Sequence, residues 1–486
     1  YVYYLQSSED FVINTLYRVP SLGGAPKKLI EDVDSTVTFS PDGKQLAFHR
    51  NISKDAIVVI YTAAADGANV QPLIRSDETD FNVIGNPKWS SDGSTVLVRA
   101  FNNFGGTVEK MEFAEISLAD KKLRTFSGRQ WFFVDNFCWL KDNSGFLFTA
   151  QETRNSPIQI WRATYPDGDF SPVTNDTNNY TSLGLSADGK TIITLKSNAS
   201  SSIWSFNAAT KQLTQITAEN QNQEGGFGLA QMPDGKIVHT RKSANDVNLW
   251  VMDADAGNAR LLTTEIKGIY SSPVVTPDGR YIVFGSKQSG TARIWRVDAD
   301  GKNLTQLTRE KSNFGDFNPQ ITSDGKTVVY QEYGSGANAV TTFMKISIDG
   351  GESAILYQDP QYSVYNQMLS PDGKYIAYNS IYKGNYDKKV RIASLENNAF
   401  GQNVKDFEAD SINSYLWSPD AKSLTFLSNK NGVPNLWRLP LDGAPPQPLT
   451  NFKSGRIFNY AWSPKTKNLF IVRGNVNSDL ILIRDN

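Results

Sequence analysis

The chain has 486 residues, of which 39% are hydrophobic and 20% are charged, and its formal net charge is −1. This composition is typical of a globular protein, and a nearly neutral chain without long charged runs does not attract nucleic acid or anionic lipid. No apolar stretch approaches the roughly 20 residues that a membrane-spanning helix needs, and the single cysteine, Cys138, excludes an intrachain disulfide.

The first predicted elements resemble the later part of a repeat. Residues 1–8 (YVYYLQSS) alternate like a strand, and residues 16–30 (LYRVPSLGGAPKKLI) supply two further strands around a Gly-rich turn. The hairpin turn that opens every later repeat has no counterpart here. The chain is therefore predicted to begin within a repeat, with a signal peptide, a membrane anchor or a partner domain as candidates for what lies upstream.

A hairpin signature then recurs ten times. Its fullest form is Ser-Pro-Asp-Gly-Lys followed by alternating apolar residues, and successive copies lie 44 to 50 residues apart. A period in the forties with a strand–turn–strand core predicts a β-propeller array, because one small sheet cannot bury both of its faces alone. The turn positions are Asp42, Asp92, Asp142, Asp188, Asp234, Asp278, Asp324, Asp372, Asp420 and Lys465.

The rest of each period predicts two more strands, which makes the fold an all-β array of four-stranded antiparallel blades. The third strand often carries Ile-Trp or Leu-Trp, an Asp- and Gly-rich turn follows, and a short outer strand such as 303–308 (NLTQLT) closes the unit. Nine of the ten tryptophans occupy repeat positions, and only Trp131 does not. We therefore interpret the tryptophans as packing between blades.

Catalytic constellations are scarce in this sequence. The two histidines, His49 and His239, both lie in second strands, and there is no G-x-S-x-G or H-E-x-x-H motif. A zinc site would need several His or Cys ligands, and the repeated aspartates are interpreted as turn caps rather than calcium ligands. The sequence predicts a protein that is not an enzyme and that has no cofactor and no metal.

One aligned position suggests a binding site. Six residues before each turn position the residue is small and polar, except at Gly228, and this position should begin the innermost strand at the mouth of a central channel. These residues either form a ring that faces a ligand or only bond the adjacent backbone. The predicted ligand-binding residues are Asn318, Asn366, Asn459, Asn86, Asn136, Tyr365 and Phe317, and the other ring residues are Thr36, Ser182, Ser272 and Ser414.

The repeated SPDGK hairpin, followed by the Ile-Trp strand and its Asp-Gly turn, resembles the TolB-like, WD40-like propeller family over nearly the whole chain. Residues 15–48 and 449–485 resemble a bacterial subgroup in which such an array forms the C-terminal part of membrane-tethered serine/threonine kinases or winged-helix regulators. The resemblance implies a periplasmic or extracellular bacterial location. It does not specify a ligand, and no kinase or winged-helix motif is present.

The number of repeats bears on the domain organisation. Ten hairpins and a partial first blade exceed what one ring usually holds, and the resemblance to the TolB-like family implies six-bladed rings. We therefore predict two tandem propellers, residues 1–222 with a truncated first blade and residues 223–486, joined near the polar segment 218–226 (AENQNQEGG). A single ring of ten or eleven blades is the alternative.

Three kinds of function remain open. The favoured hypothesis is a non-catalytic sensor or binding module that recognises a protein, peptide or glycan through one propeller face. A scaffold subunit of an envelope or extracellular assembly is the second. A propeller enzyme such as a polysaccharide lyase is the third, since a propeller fold by itself does not determine function.

Overall fold

The computed structural model describes residues 1–484 apart from 8–12, 53–56, 82, 105–106, 127–128, 154–155, 221–222, 244–245, 264–265, 267, 310–314, 334–340, 383–387, 397–398, 409–413 and 430–431. These described residues form antiparallel strands and one short 3-10 helix, Ser76–Glu78. No helix among them is long and apolar enough to cross a membrane. The predicted all-β fold of four-stranded blades is confirmed.

The chain divides into two compact units. The first unit contains Tyr1–Ser197 and Ser478–Asn486, and the second contains Asn198–Asn477. The predicted boundary at 222/223 differs from the observed one at 197/198, because the polar run SNASSS continues the strand Thr191–Phe206 instead of ending it. Residue 222 itself lies outside the described residues.

The strands of the first unit form successive antiparallel sheets, and the first sheet contains three described strands. The first two sheets are β1 Val2–Ser7, β2 Asn14–Val19 and β3 Lys27–Glu31, and then β4 Thr38–Phe39, β5 Gln45–Ile52, β6 Ile57–Ala64 and β7 Gln71–Arg75. The next two sheets are β8 Val83–Trp89, β9 Thr95–Phe104, β10 Thr107–Ser117 and β11 Leu123–Thr125, and then β12 Phe133–Trp139, β13 Gly145–Gln151, β14 Gln159–Thr164 and β15 Phe170–Pro172. The short strands β16 Asn179–Tyr180 and β17 Gly184–Leu185 pair with β18 Thr191–Phe206.

The second unit contains five blades that are continuous in sequence, here named A to E. Blade A is β20 Leu229–Gln231, β21 Ile237–Ser243, β22 Asp246–Met252 and β23 Arg260–Leu261, and blade B is β24 Val274–Val275, β25 Tyr281–Ser286, β26 Arg293–Asp298 and β27 Thr305–Gln306. Blade C is β28 Asp316–Ile321, β29 Thr327–Tyr333, β30 Thr341–Ser347 and β31 Ala354–Gln358, and blade D is β32 Tyr362–Leu369, β33 Tyr375–Tyr382, β34 Lys388–Glu396 and β35 Ala399–Glu408. Blade E is β36 Tyr415–Trp417, β37 Ser423–Ser428, β38 Asn435–Pro440 and β39 Gln447–Pro448.

A sixth blade, F, joins the two ends of the second unit. Its inner strands are β40 Arg456–Trp462 and residues 469–477 of β41 Leu469–Arg484, and its outer strands are residues 198–206 of β18 and β19 Leu213–Gln215. Ser463 Oγ donates a hydrogen bond to Gln231 Oε1, which connects blade F to blade A. Segments far apart in sequence therefore close the ring.

Hydrophobic clusters fill the spaces between neighbouring blades of the second unit. The A–B space holds Leu249 and Phe284, for example, and the closing F–A space holds Ile203, Leu229 and Val472, all nearly inaccessible to solvent. Alternating apolar residues on both faces of each blade supply these clusters, as expected for sheets buried between two neighbours.

Two repeated hydrogen-bond patterns explain the sequence signature. In the first hairpin turn, Asp42 Oδ1 accepts from Ser40 Oγ at 2.6 Å and from the Lys44 N–H at 3.0 Å, so the predicted role of these aspartates as turn caps is confirmed. Two residues after the outer strand of blade E, the Thr450 hydroxyl accepts from the Leu436 N–H at 2.9 Å. Equivalent threonines are Thr174, Thr217, Thr263 and Thr308.

Candidate functional site

A channel of about 510 Å³ lies at the centre of the second unit. The innermost strands of all six blades, together with the residues just before and after them, line it. Among them are Leu229 of blade A, Val275 of B, Ile321 of C, Leu416 of E and Ala461 of F. The channel therefore follows from the ring closure, because it exists only where six inner strands converge.

The small polar residues of the second unit lie in this channel. Ser272, Asn318, Asn366, Ser414 and Asn459 all line it. Ser272, Asn318 and Ser414 are exposed, and Asn366 and Asn459 are partly exposed. The structure thus brings together Asn318, Asn366 and Asn459, which the repeat alignment singled out; Gly228, the exception in that alignment, does not line the channel.

Backbone conformation is one reason for asparagine at these positions. Asn318 and Asn366 have φ of 51° and 57°, and each lies at a register shift between its inner strand and the second strand of the blade. Asparagine enters this left-handed region more readily than most residues do. The sequence pattern therefore reflects a bulge in the strand as well as the chemistry of the amide.

Side chains from the next blade bind the main-chain carbonyls of the ring. Gln367 Nε2 donates to the Asn318 carbonyl at 2.8 Å, the Tyr415 hydroxyl to the Asn366 carbonyl at 2.9 Å, and the Tyr460 hydroxyl to the Ser414 carbonyl at 3.0 Å. Burial raises the pKa of both tyrosines well above the ordinary value of 10. The phenols therefore remain protonated donors at neutral pH.

The ring side chains differ in how far they are already used. Asn459 Oδ1 accepts from the Tyr460 N–H at 2.8 Å, and Ser272 Oγ donates to the Phe227 carbonyl at 3.4 Å. The Asn318 amide is exposed in the channel and makes no hydrogen bond to any residue that the structure describes. Its two N–H donors and its carbonyl oxygen are available to a ligand.

The described residues that line the channel are uncharged. None of them is Asp, Glu, Lys, Arg or His, although a fifth of the whole chain is charged. Apolar side chains such as Met368, Leu369 and Trp462 separate the polar ring from the turn prolines Pro371 and Pro464 at the far ends of the inner strands. A ligand in this channel would meet amide, hydroxyl and apolar groups.

Comparisons with known proteins agree with this architecture. The family of the tricorn protease N-terminal β-propeller domain matches residues 241–475. An uncharacterized protein of Agrobacterium fabrum is 30% identical over 154 residues, 30% of this chain and 52% of that protein. Tol-Pal system protein TolB of Francisella tularensis is 25% identical over 244 residues, 47% of this chain and 54% of that protein. The chain thus spans about half the length of these relatives.

The chain is a β-propeller protein that is similar to TolB over part of its length. Among solved structures, TolB from Acinetobacter baumannii is 18% identical, with 63% of each chain covered and a TM-score of 0.33. The tricorn protease is 12% identical, with 99% of this chain and 55% of that chain covered and a TM-score of 0.34. The narrower resemblance to kinase and winged-helix regulators stays a prediction.

Two predicted binding residues of the second unit lie outside the channel lining. Phe317 is packed between the rings of Tyr270 and Tyr333, with centroid distances of 5.3 and 5.2 Å, and Tyr365 is half-buried. Neither is among the channel-lining residues. The structure therefore does not place these aromatic rings beside the amides in the channel.

The first-unit residues Asn86 and Asn136 are engaged differently. Asn86 has φ of 51°, and its N–H donates to His49 Nδ1 at 3.3 Å. The Asn136 amide donates to Asp135 Oδ2 at 2.8 Å and to the Thr181 carbonyl at 3.0 Å. The Asn136 amide is therefore used within the unit, which favours a structural role for it over ligand binding, whereas Asn86 makes its contact through the main-chain N–H.

Both histidines are buried in second strands. Desolvation by burial lowers the pKa of His49 and of His239 to about 4. They are therefore neutral at physiological pH. His239 is 2% exposed, and neither histidine lies in the channel lining of the second unit.

Sequence reasoning missed the residues that hold the ring in place, Gln367, Tyr415 and Tyr460. Each directly follows a ring residue, and each donates to the preceding blade. Their position, five residues before the turn aspartate or its equivalent, was a signal available in the aligned repeats. It was missed because the three residues are not all of one type, although their side chains make the same contact with the preceding blade.

Proposed function

We propose that this protein is a non-catalytic binding module, and that the second-unit channel takes an uncharged segment of a protein, peptide or glycan. The observation that carries the proposal is the exposed Asn318 amide in a channel whose described lining residues include no charged side chain. A neutral ligand with donors and acceptors matches such a wall, whereas a charged group would lose hydration without gaining a partner.

Other observations support a role in binding. The aromatic donors between blades fix the positions of the ring residues before a ligand arrives, and such preorganisation lowers the entropic cost of binding. A relative carries the name Tol-Pal system protein TolB, which agrees with a part in a multi-protein system. We extend the proposal to a periplasmic or extracellular location, as the family resemblance implies.

The test uses the full chain and matched probes. Calorimetric titrations with neutral hexapeptides and with maltohexaose should identify a probe that binds, and analogues with one carboxylate should bind at least about tenfold more weakly. Asn318→Gly, which retains the backbone conformation, should lower the affinity for the neutral probe. Binding that is indifferent to both probe charge and Asn318 would contradict the channel assignment.

The same titration tests the proposal that binding involves no catalysis. A double variant, His49→Gln with His239→Gln, should bind the probe as the parent does once folding is verified by circular dichroism. If the parent converts any probe to a product and the folded double variant does not, the hypothesis of a non-catalytic protein is refuted. A chain that binds no probe but assembles through its outer blade edges would favour the scaffold hypothesis.

A further inference from the structure

A second cavity of the second unit lies away from the channel, between the outer parts of blades E and F. Its volume is about 650 Å³. The residues that line it come from the second to fourth strands of blade E, the outer strands of blade F and adjoining turns, and none of them lines the channel. It is therefore a separate site, formed where residues 198–213 complete blade F.

The wall of this cavity is mainly apolar and aromatic. Three ring side chains line it, Phe206 from β18, Trp437 from β38 and Phe452 from the segment after β39, together with Leu213, Val433, Pro448 and Leu449. Phe206 is 4% exposed, whereas Trp437 and Phe452 are partly exposed and present surface to the cavity. An apolar body of suitable size would release water from these rings on binding.

Hydrogen bonds from one side chain fix the shape of the wall. Asn435 Oδ1 accepts from the Phe452 N–H at 2.6 Å and from the Thr450 hydroxyl at 2.9 Å, and Asn435 Nδ2 donates to the Phe452 carbonyl at 3.1 Å. The amide is thereby used inside the protein. The cavity is consequently preformed, and Asn435 positions Phe452 rather than binding a ligand.

Lys211 is the sole charged residue among the described residues that line this cavity, and its side chain is at the exposed rim. Its Nζ lies 3.4 Å from the Leu449 carbonyl, and no carboxylate of the described residues forms an ion pair with it within 4.0 Å. The apolar wall thus has an ammonium group at its edge that no acidic side chain in the described part of the chain neutralises.

We infer that this cavity binds an amphiphilic anion, a molecule with an apolar or aromatic body and a single carboxylate or sulfonate. The body lies against Phe206, Trp437 and Phe452, and the acid group lies at the rim beside Lys211. An apolar wall with one unneutralised cation matches this chemistry in both its parts. The inference does not depend on the proposed function of the channel.

The test uses the aromatic sulfonate 1-anilinonaphthalene-8-sulfonate and the full folded chain. Titration followed by dye fluorescence should show one saturable site. Lys211→Met should weaken binding at least about fivefold, and raising the salt concentration should weaken the parent more than this variant. N-phenyl-1-naphthylamine, which lacks the sulfonate, should bind the parent and the Lys211→Met variant equally.

Lys467→Met is the matched control. Lys211 and Lys467 both have left-handed backbone, with φ of 60° and 57°, and both are exposed in turns of blade F, but Lys467 does not line this cavity. Its variant should bind the dye like the parent. Val433→Trp, which fills the cavity from a partly exposed position, should abolish binding while the chain stays folded. Absence of a saturable site, or equal effects of the two lysine variants, would overturn the inference.

Discussion

The hydroxyl of Tyr415 donates a hydrogen bond of 2.9 Å to the main-chain carbonyl of Asn366 in the preceding blade. Tyr415 is 1% exposed, so its hydroxyl has little access to water as an alternative partner. The same relationship links Tyr460 to Ser414 and Gln367 to Asn318. Contacts between blades therefore set the geometry of the channel mouth.

Tyr415→Phe should lower the free energy of unfolding by about 0.5–1.5 kcal/mol, because it removes a buried donor and keeps the ring. Urea denaturation followed by intrinsic fluorescence measures this change. Tyr375→Phe is the matched control: it lies in the neighbouring blade and stacks on Trp417 at 6.2 Å, and its hydroxyl makes no hydrogen bond among the described residues. Equal stability losses in the two variants would show that the bond to Asn366 has no special role.

The channel asparagines should act together on binding. A variant with Asn318→Gly, Asn366→Gly and Asn459→Ala removes three amides, and glycine retains the positive φ of the first two positions. Lost hydrogen bonds of about 0.5–1.5 kcal/mol each predict a reduction of at least about tenfold in affinity for a neutral probe. Calorimetry with a probe that binds the parent chain measures it.

Asn86→Gly provides the comparison for that variant. Asn86 has φ of 51°, like the channel residues, but it belongs to the first unit. The substitution should leave binding of the probe unchanged. If Asn86→Gly lowers the affinity for the probe as strongly as the triple variant does, the ligand site is not the second-unit channel.

Closure of the second unit should depend on Gly474. A Cβ atom at this position would lie 2.0 Å from the Ser200 carbonyl oxygen of the adjacent strand in blade F. Gly474→Ala would force β41 away from residues 198–206, and overpacking of this kind costs about 1–3 kcal/mol. Thermal unfolding should show the loss. Gly184→Ala, where the nearest atom to the added Cβ is 3.9 Å away, should have little effect, and a similar loss there would argue against the steric cause.

Local chemistry made most of this fold predictable. A Ser or Thr two residues before the turn aspartate and an N–H two residues after it satisfy the same carboxylate oxygen, as at Asp42 and Asp372. The residues that make these hydrogen bonds are close together in sequence, so the repeated motif predicts the turn. The alternation that follows each turn then identifies the buried faces.

Blade F could not be predicted in this way. Its strands 198–206 and 469–477 are far apart in sequence, and their pairing depends on where the ring closes. The position of the ring asparagines was predictable because their spacing from the turn is constant. The packing of Phe317 against Tyr270 was not, because it depends on a contact between blades.

The buried acid Asp316 should give the second unit a distinctive pH dependence. Burial raises its pKa from 3.8 to about 6, although Arg293 Nη1 lies 3.5 Å from its Oδ2 and Thr308 donates to the same oxygen. The folded state therefore holds this proton more tightly than the unfolded state does. Stability contributed by the protonated acid is present below the unfolded pKa and is lost as the pH rises through about 6.

Comparison with Asp316→Asn isolates this effect from the two histidines. Between pH 8 and pH 5 the free energy of unfolding of the parent should rise by about 1 kcal/mol relative to the variant. Urea denaturation at one-unit pH intervals measures the difference. Asp278→Asn is the control, because hydrogen bonds from the Arg280 N–H and from Thr276 lower the pKa of Asp278 to about 2. The difference in free energy of unfolding between Asp278→Asn and the parent should not change with pH over this range. If the difference for Asp316→Asn does not change with pH either, the buried-acid explanation is refuted.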